Sequence, residues 1–230
     1  MRVFLIHGMG RSRASMALLS ARLRRAGHTV SSFGYLVLKH SLDEIAQQWA
    51  QHIAQHLAAD RQAEKSRPGT TEPYAIVGHS LGNIITRHAT ELLPAGLSRF
   101  VMLAPPNRSP AMARWLQDNP LFKALTRDGG QKLASPAFYE RLARPDVPTL
   151  IIAGDKGPRL SWLPLTGSHD GLVGLDEARL EGVPLHVVPA LHTFIMNHPQ
   201  VTRTIHTFLE HGQPPQGFMA AAPHSGRHER

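Results

Sequence analysis

The sequence predicts an α/β protein: a mostly parallel sheet of about six strands with helices on both faces. Three observations carry that expectation. Short apolar runs that read as strands alternate with segments of helical periodicity, the order that builds βαβ units. One such strand, Tyr74-Ala75-Ile76-Val77, runs straight into a glycine-flanked serine and then a helix ended by Pro94. A chain of 230 residues with 42% hydrophobic content also has enough material for the core of one domain of this class.

The elements follow in order. Val3–Ile6 reads as a strand, Ser15–Ala26 as a helix stopped at Gly27, and Thr29–Tyr35 as a second strand. Leu42–Ala59 is the clearest amphipathic helix, with Leu42, Ile45, Trp49, Ile53 and Leu57 on one stripe, so Trp49 is expected in the core. Arg61–Glu72, which contains Pro68-Gly69, reads as a surface loop. Asn83–Leu93 reads as the helix after the serine turn, and Phe100–Leu103 as the next strand. Val147–Ala153 and Leu185–Val188 complete the sheet, and Pro199–Glu210 is a final helix. The reading is one domain over residues 1–212, with a cap inserted at about 105–145 and a disordered tail over 213–230.

Two segments break the alternation. Pro105–Pro145 carries Met112, Trp115, Leu116, Leu121, Phe122 and Leu125, and Lys156–Ser168 carries Leu160, Trp162, Leu163 and Leu165. Both follow strands at the carboxyl edge of the sheet, where open α/β folds bind ligands. They are expected either to line an acyl pocket or form a lid, or simply to pack as a cap against the domain.

Composition excludes several classes of function. The chain has no cysteine, so disulfides, thiolate metal sites and cysteine nucleophiles are all ruled out. No run approaches the apolar length of a membrane span. Met1–Gly8 lacks the apolar core and cleavage site of a signal peptide, so a cytoplasmic location is expected. The net charge of +8 raises nucleic acid as a partner. Of the 25 basic residues, however, 20 are scattered arginines without interleaved aromatics; the densest groups are Arg11/Arg13 and Arg22/Arg24/Arg25. A solvated surface with a weak pull toward anionic lipid is the expectation, with no nucleic-acid partner.

The chemistry centres on Gly78-His79-Ser80-Leu81-Gly82, which fits G-x-S-x-G between a strand and a helix. On such a turn the serine is held in strained backbone geometry with its hydroxyl clear of the sheet. A serine hydroxyl attacks only when a base takes its proton and an acid orients that base. For this class of turn the chain order is serine, acid, histidine. His192, directly after the last strand, is the expected base, and His198 the rival. Two acids compete: Asp155, directly after its strand, and Asp170, in the polar turn Gly167–Val173, which is favoured. Asp176 and Glu177 read as first-turn helix charges. The oxyanion donors are expected to be the backbone amides of Leu81 and Met9, with His7 shaping the Met9 loop. His52 and His56, four apart on a helix, allow a metal reading, but no carboxylate converges on them. No metal and no cofactor are expected.

These elements together resemble the α/β-hydrolase family, and within it the small lipases and esterases, over roughly residues 1–210. The residues that carry the resemblance are His7–Gly10, Gly78–Gly82, Ala104–Ser109, Ser168–Val173 and Leu191–Phe194. In similar lipases an Asp-Gly-x-Val turn supplies the acid, which implies Asp170 rather than Asp155. Pro105–Ser109 resembles the Pro-Asn-x-Gly-Ser segment that starts their cap, although Arg108 stands where that segment has glycine and Pro110 follows Ser109. The chain opens on what would be the third strand of the full fold, as in minimal versions lacking the first two.

The resemblance implies hydrolysis of a small-molecule or lipid carboxylic ester through an acyl-enzyme. Amide hydrolysis or acyl transfer would use the same machinery, and a catalytically silent binding protein would keep the scaffold alone.

Overall fold

The computed structural model describes residues 1–64 and 72–213. The expected tail beyond Gln213 and most of the expected loop at Arg61–Glu72 therefore lie outside the described residues. Six strands form one sheet: β1 (Arg2–Ile6), β2 (Thr29–Phe33), β3 (Tyr74–His79), β4 (Leu97–Leu103), β5 (Thr149–Gly154) and β6 (Leu185–Val188). Their order is β2-β1-β3-β4-β5-β6, and every neighbouring pair is parallel. The order reverses direction between β1 and β3, so the carboxyl ends of those two strands flank the crevice in which such sheets bind ligands.

Side-chain alternation along the strands sorts the core into two layers. On β1, Val3 and Leu5 face α1 (Ala17–Arg25) and α8 (Pro199–His211), where they meet Leu19, Leu23, Ile205 and Phe208. Phe4 and Ile6 face the other side, toward α2 (Leu42–Glu64) and α3 (Leu81–His88). Trp49 is fully buried there, edge-on to Phe4 with ring centroids 6.3 Å apart. Both faces of the strands are covered, which is why they read as nearly continuous apolar runs.

Several bounds differ from the sequence reading. The segment before α1 is a 3₁₀ turn, Arg13–Met16, rather than the start of the helix. The second strand stops at Phe33, and α2 continues through residues 61–64, which had been read as loop. α3 ends at His88, and a 3₁₀ turn at Thr90–Leu92 replaces its expected last turn. β4 begins three residues early, at Leu97, because its register with β3 pairs Leu97 with Tyr74. Residues 105–145 hold three helices, α4 (Ala111–Leu116), α5 (Pro120–Ala134, broken at Arg127) and α6 (Pro136–Glu140). A short α7 (Leu175–Ala178) lies between β5 and β6. Among the described residues no helix is long and apolar enough to cross a membrane.

The placement of α3 depends on one close approach. A Cβ added at Gly82 would lie 2.7 Å from the His7 carbonyl oxygen and 2.8 Å from that of Ile6. Both are backbone atoms of β1 and its end, so neither can swing aside. Gly82→Ala is expected to lower stability by about 2 kcal/mol through this overlap. A fall in the urea midpoint at unchanged slope checks it, and a wild-type midpoint contradicts it.

Candidate active site

The turn between β3 and α3 holds Ser80 at φ 52° and ψ −121°, a conformation that costs an L-residue about 1–3 kcal/mol. Neighbouring hydrogen bonds hold it there. The Ser80 N–H donates to the Leu103 carbonyl at 2.9 Å, and the Asn83 N–H donates to the Ser80 carbonyl at 3.0 Å. The Asn83 amide nitrogen also donates to the carbonyls of Ser80 and Leu103, at 3.1 and 3.0 Å. The serine is thus tied to the carboxyl end of β4 as well as to its own strand.

His192 opens the 3₁₀ turn that follows β6, and Asp170 lies in the loop between β5 and β6. The His192 Nε2 lies 2.9 Å from the Ser80 Oγ, and its Nδ1 lies 2.7 Å from the Asp170 Oδ2. The other carboxylate oxygen accepts the N–H groups of Leu172 and Val173 at 3.0 and 2.8 Å. With Oδ1 held this way, Oδ2 is aimed at Nδ1, and the network assigns the proton of neutral His192 to Nδ1. Nε2 then carries the lone pair that faces the serine hydroxyl. The His192 N–H donates to the Asp170 carbonyl at 3.0 Å, which locks the two loops together.

Each residue picked from the sequence can now be placed. Ser80, His192 and Asp170 form one continuous chain of hydrogen bonds. Asp155 follows β5 as expected, but its nearest cationic partner is Lys156 at 3.8 Å and it makes no contact with His192. His198 precedes α8 and bonds to neither Ser80 nor Asp170. Leu81 is the first residue of α3, where first-turn amides have no acceptor inside the helix. Met9 lines the same cavity as Ser80. Glu177 does more than supply first-turn charge: it accepts the N–H of Gly174 at 2.8 Å and that of Ala111, at the start of α4, at 2.7 Å. His52 bonds to Ser31 at 3.0 Å, lies tilted against His56 and meets Phe4 edge-on, and among the described residues no cluster of three metal-ligating side chains occurs.

Further residues hold the site together; His79 and Arg87 were not singled out in the sequence, whereas His7 was. His79 is buried, and its Nε2–H donates to the His192 carbonyl at 2.9 Å, joining the serine turn to the His192 loop. A Cβ at Gly8 would lie 2.8 Å from the Ser80 Cβ and 2.9 Å from the His79 Nδ1, so the loop after β1 packs directly on this pair. His7 donates from Nδ1 to the Gly8 carbonyl at 2.8 Å and accepts the Tyr35 N–H on Nε2 at 3.2 Å, which sets the shape of that loop. Buried Arg87 donates to the carbonyls of Ala143 and Leu142 and to Asn107, fastening both ends of the α4–α6 insertion to α3. Burial pulls its pKa down to about 10, which leaves it charged at neutral pH.

A cavity of about 210 Å³ opens beside Ser80. Ser80, His79 and His192 border it, and most of its wall is apolar: Met9, Met112, Leu116, Phe122, Leu133 and Val173. The first insertion therefore supplies much of the wall, while none of the lining residues comes from Lys156–Ser168.

No protein-family model matches the chain, and no curated protein matches it by sequence. Its fold does have solved counterparts. The mature form of the lipase BlEst2 from Bacillus licheniformis superposes with a TM-score of 0.66 at 16% identity, over 91% of this chain and 90% of that one. The phospholipase PlaB from Legionella pneumophila gives 0.67 at 16% identity, over 90% of this chain but 57% of that one. A structure from work on LipS and LipT, two metagenome-derived lipolytic enzymes, gives 0.59 at 20% identity over 91% and 93%. The chain has the α/β-hydrolase fold.

Burial also sets the site's response to pH. It lowers the pKa of His7 and pushes that of His79 well below its ordinary value, with the neighbouring His192 adding to the effect at His79. On α2, burial brings His52 down to about 4. Below about pH 6.5 the unfolded chain takes up protons on these imidazoles that the folded protein does not. Folding stability is therefore full above about pH 6.5 and falls as pH drops from there toward the folded values. Urea midpoints compared at neutral and mildly acid pH should show this loss, with a shallower slope in His52→Gln. A midpoint that stays constant or rises on acidification contradicts it.

Proposed function

We propose that the protein is a serine hydrolase that cleaves carboxylic esters with an apolar acyl group, through an acyl-enzyme. The observation that carries this reading is the unbroken chain Asp170–His192–Ser80 at the edge of an apolar cavity. His192 Nε2 takes the proton from Ser80 as Oγ attacks the ester carbonyl, and the imidazolium that forms is stabilised by Asp170. The amides of Leu81 and Met9 receive the developing oxyanion. Collapse of the tetrahedral species expels the alcohol with the proton from His192. Water, activated by the same imidazole, then releases the acid and restores Ser80. The lipase and phospholipase names among the structural counterparts agree with this substrate class.

The reading makes sharp demands on two side chains. Ser80→Ala is expected to reduce turnover of a short p-nitrophenyl ester by about 10⁵–10⁶-fold and to abolish fluorophosphonate labelling. Asp170→Asn keeps the shape but allows the wrong imidazole tautomer, and is expected to cost about 10⁴-fold in kcat. Wild-type labelling and turnover in Ser80→Ala would refute the mechanism.

The cavity also limits the acyl group. At about 210 Å³ it is smaller than the roughly 300–1,000 Å³ of sites that engulf whole drug-sized ligands. It suits one acyl chain of modest length, with the rest of the substrate outside. Across p-nitrophenyl esters of increasing acyl length, kcat/KM is expected to rise and then level off or fall once the chain outgrows the cavity. A steady decline from acetate onward would contradict an apolar acyl site.

A further inference from the structure

The surface around this cavity is apolar where a soluble protein is normally polar. Trp115 on α4 is 52% exposed and Trp162, in the segment after β5, is 65% exposed; their rings meet with centroids 6.3 Å apart. Leu121 and Leu125 stand one turn apart on α5 at 66% and 52% exposure. Phe194, two residues past His192, is 56% exposed. Leu116, Phe122 and Thr193, the chain neighbours of Trp115, Leu121 and Phe194, line the cavity wall together with exposed Leu172, and Trp162 joins the group through its contact with Trp115. Single exposed apolar residues need no explanation, but a group of this size around one opening does.

Charge indicates what covers it. Residues 155–169 carry Arg159 and a Lys156 that pairs with Asp155 at 3.8 Å, while residues 105–128 carry Arg108, Arg114, Lys123 and Arg127 against Asp118 and Asp128. Asp118 is itself paired with Lys123 at 3.2 Å. Arg11 lines the cavity, and Arg114 and Arg159 are exposed next to the two tryptophans. Exposed tryptophans mixed with cations match the interfacial zone of a bilayer, where indole rings lie at headgroup depth and cations meet anionic phosphates. A second copy of this chain would bring the same cations face to face.

We propose that this rim docks on the surface of an anionic lipid bilayer, with Trp115, Trp162, Leu121 and Phe194 inserted among the headgroups. Docking directs the opening of the Ser80 cavity at the membrane, so an acyl chain enters without crossing water. This deepens the ester-hydrolase reading, but the docking itself needs no catalysis and is tested without it.

The test uses Ser80→Ala, so that a failure of the catalytic reading leaves the binding measurement untouched. The protein is floated with vesicles of phosphatidylglycerol and with vesicles of phosphatidylcholine. Binding to phosphatidylglycerol that exceeds binding to phosphatidylcholine and weakens with salt is expected. Adding Trp115→Ala and Trp162→Ala is expected to weaken it by at least about tenfold. Arg159→Glu, a single exposed change, is expected to weaken it by roughly fivefold or more. In the wild-type background the tryptophan pair should leave turnover of a water-soluble short ester unchanged, which shows that the variant folds. Equal binding to both vesicle types, binding indifferent to these substitutions, or no binding at all overturns the proposal. So does a dimer in sedimentation that the tryptophan substitutions dissociate, which would assign the rim to a second copy.

Discussion

The conformation of Ser80 is the constraint on which the rest of the site depends. At φ 52° the chain turns from β3 into α3 with no intervening loop. That sharp turn is what lifts the hydroxyl clear of the sheet and leaves the amide of Leu81 unclaimed at the start of a helix. The strain persists because the surroundings over-determine it. Asn83 grips the carbonyls of Ser80 and Leu103, at the carboxyl ends of β3 and β4, and Gly82 sits against the carbonyls of Ile6 and His7. A larger residue at position 82 would push α3 off β1, and the loop carrying Met9 would lose its seat on the serine turn.

The other two members of the site come from loops far away in sequence, and few apolar contacts fix them. Direct hydrogen bonds do. Asp170 is held by the amides of Leu172 and Val173, the His192 backbone is held by Asp170, and His79 holds the His192 carbonyl from the serine side. For His192 to take up a proton, no other imidazole cation should stand beside it. Burial serves that end by keeping His7 and His79 neutral, so neither places a cation beside His192. The histidine next to Ser80 is thus a spacer and a donor, and in the proposed mechanism proton transfer belongs to His192.

How much of this could be read from the chain follows from the range of each interaction. Strands buried on both faces and the stripe on α2 are local patterns, and they gave the sheet and most of the helices. The serine turn is also local, and chain order then limited the search to His192 and an acid before it. Asp170 was preferred over Asp155 because a small-residue turn lets a carboxylate reach inward, and the structure aims it at His192. The unread parts depend on partners distant in sequence. Nothing near Arg87 marks it as the clasp for carbonyls at positions 142 and 143, and nothing near His79 points to a carbonyl 113 residues away. The early start of β4 likewise rests on pairing with β3, which no window around Leu97 contains.

The first insertion walls the Ser80 cavity, and the second meets it outside through the Trp115–Trp162 contact. A hydrogen-bonded Ser–His–Asp chain is strongest where water is scarce, because the same charges interact more strongly in a poorly polarisable setting. The apolar residues of α4 and α5 provide that setting on one side of the cavity. The apolar face does not stop at the cavity wall, however. It continues outward through Trp115 and Trp162, and such a surface invites self-association. The excess of arginine counters this, since like-charged copies repel. Those same cations draw the rim toward any surface of opposite charge. On the proposed docking, the positive balance of the chain and its greasy opening act together: the charge opposes contact between copies, and the rim engages an anionic surface.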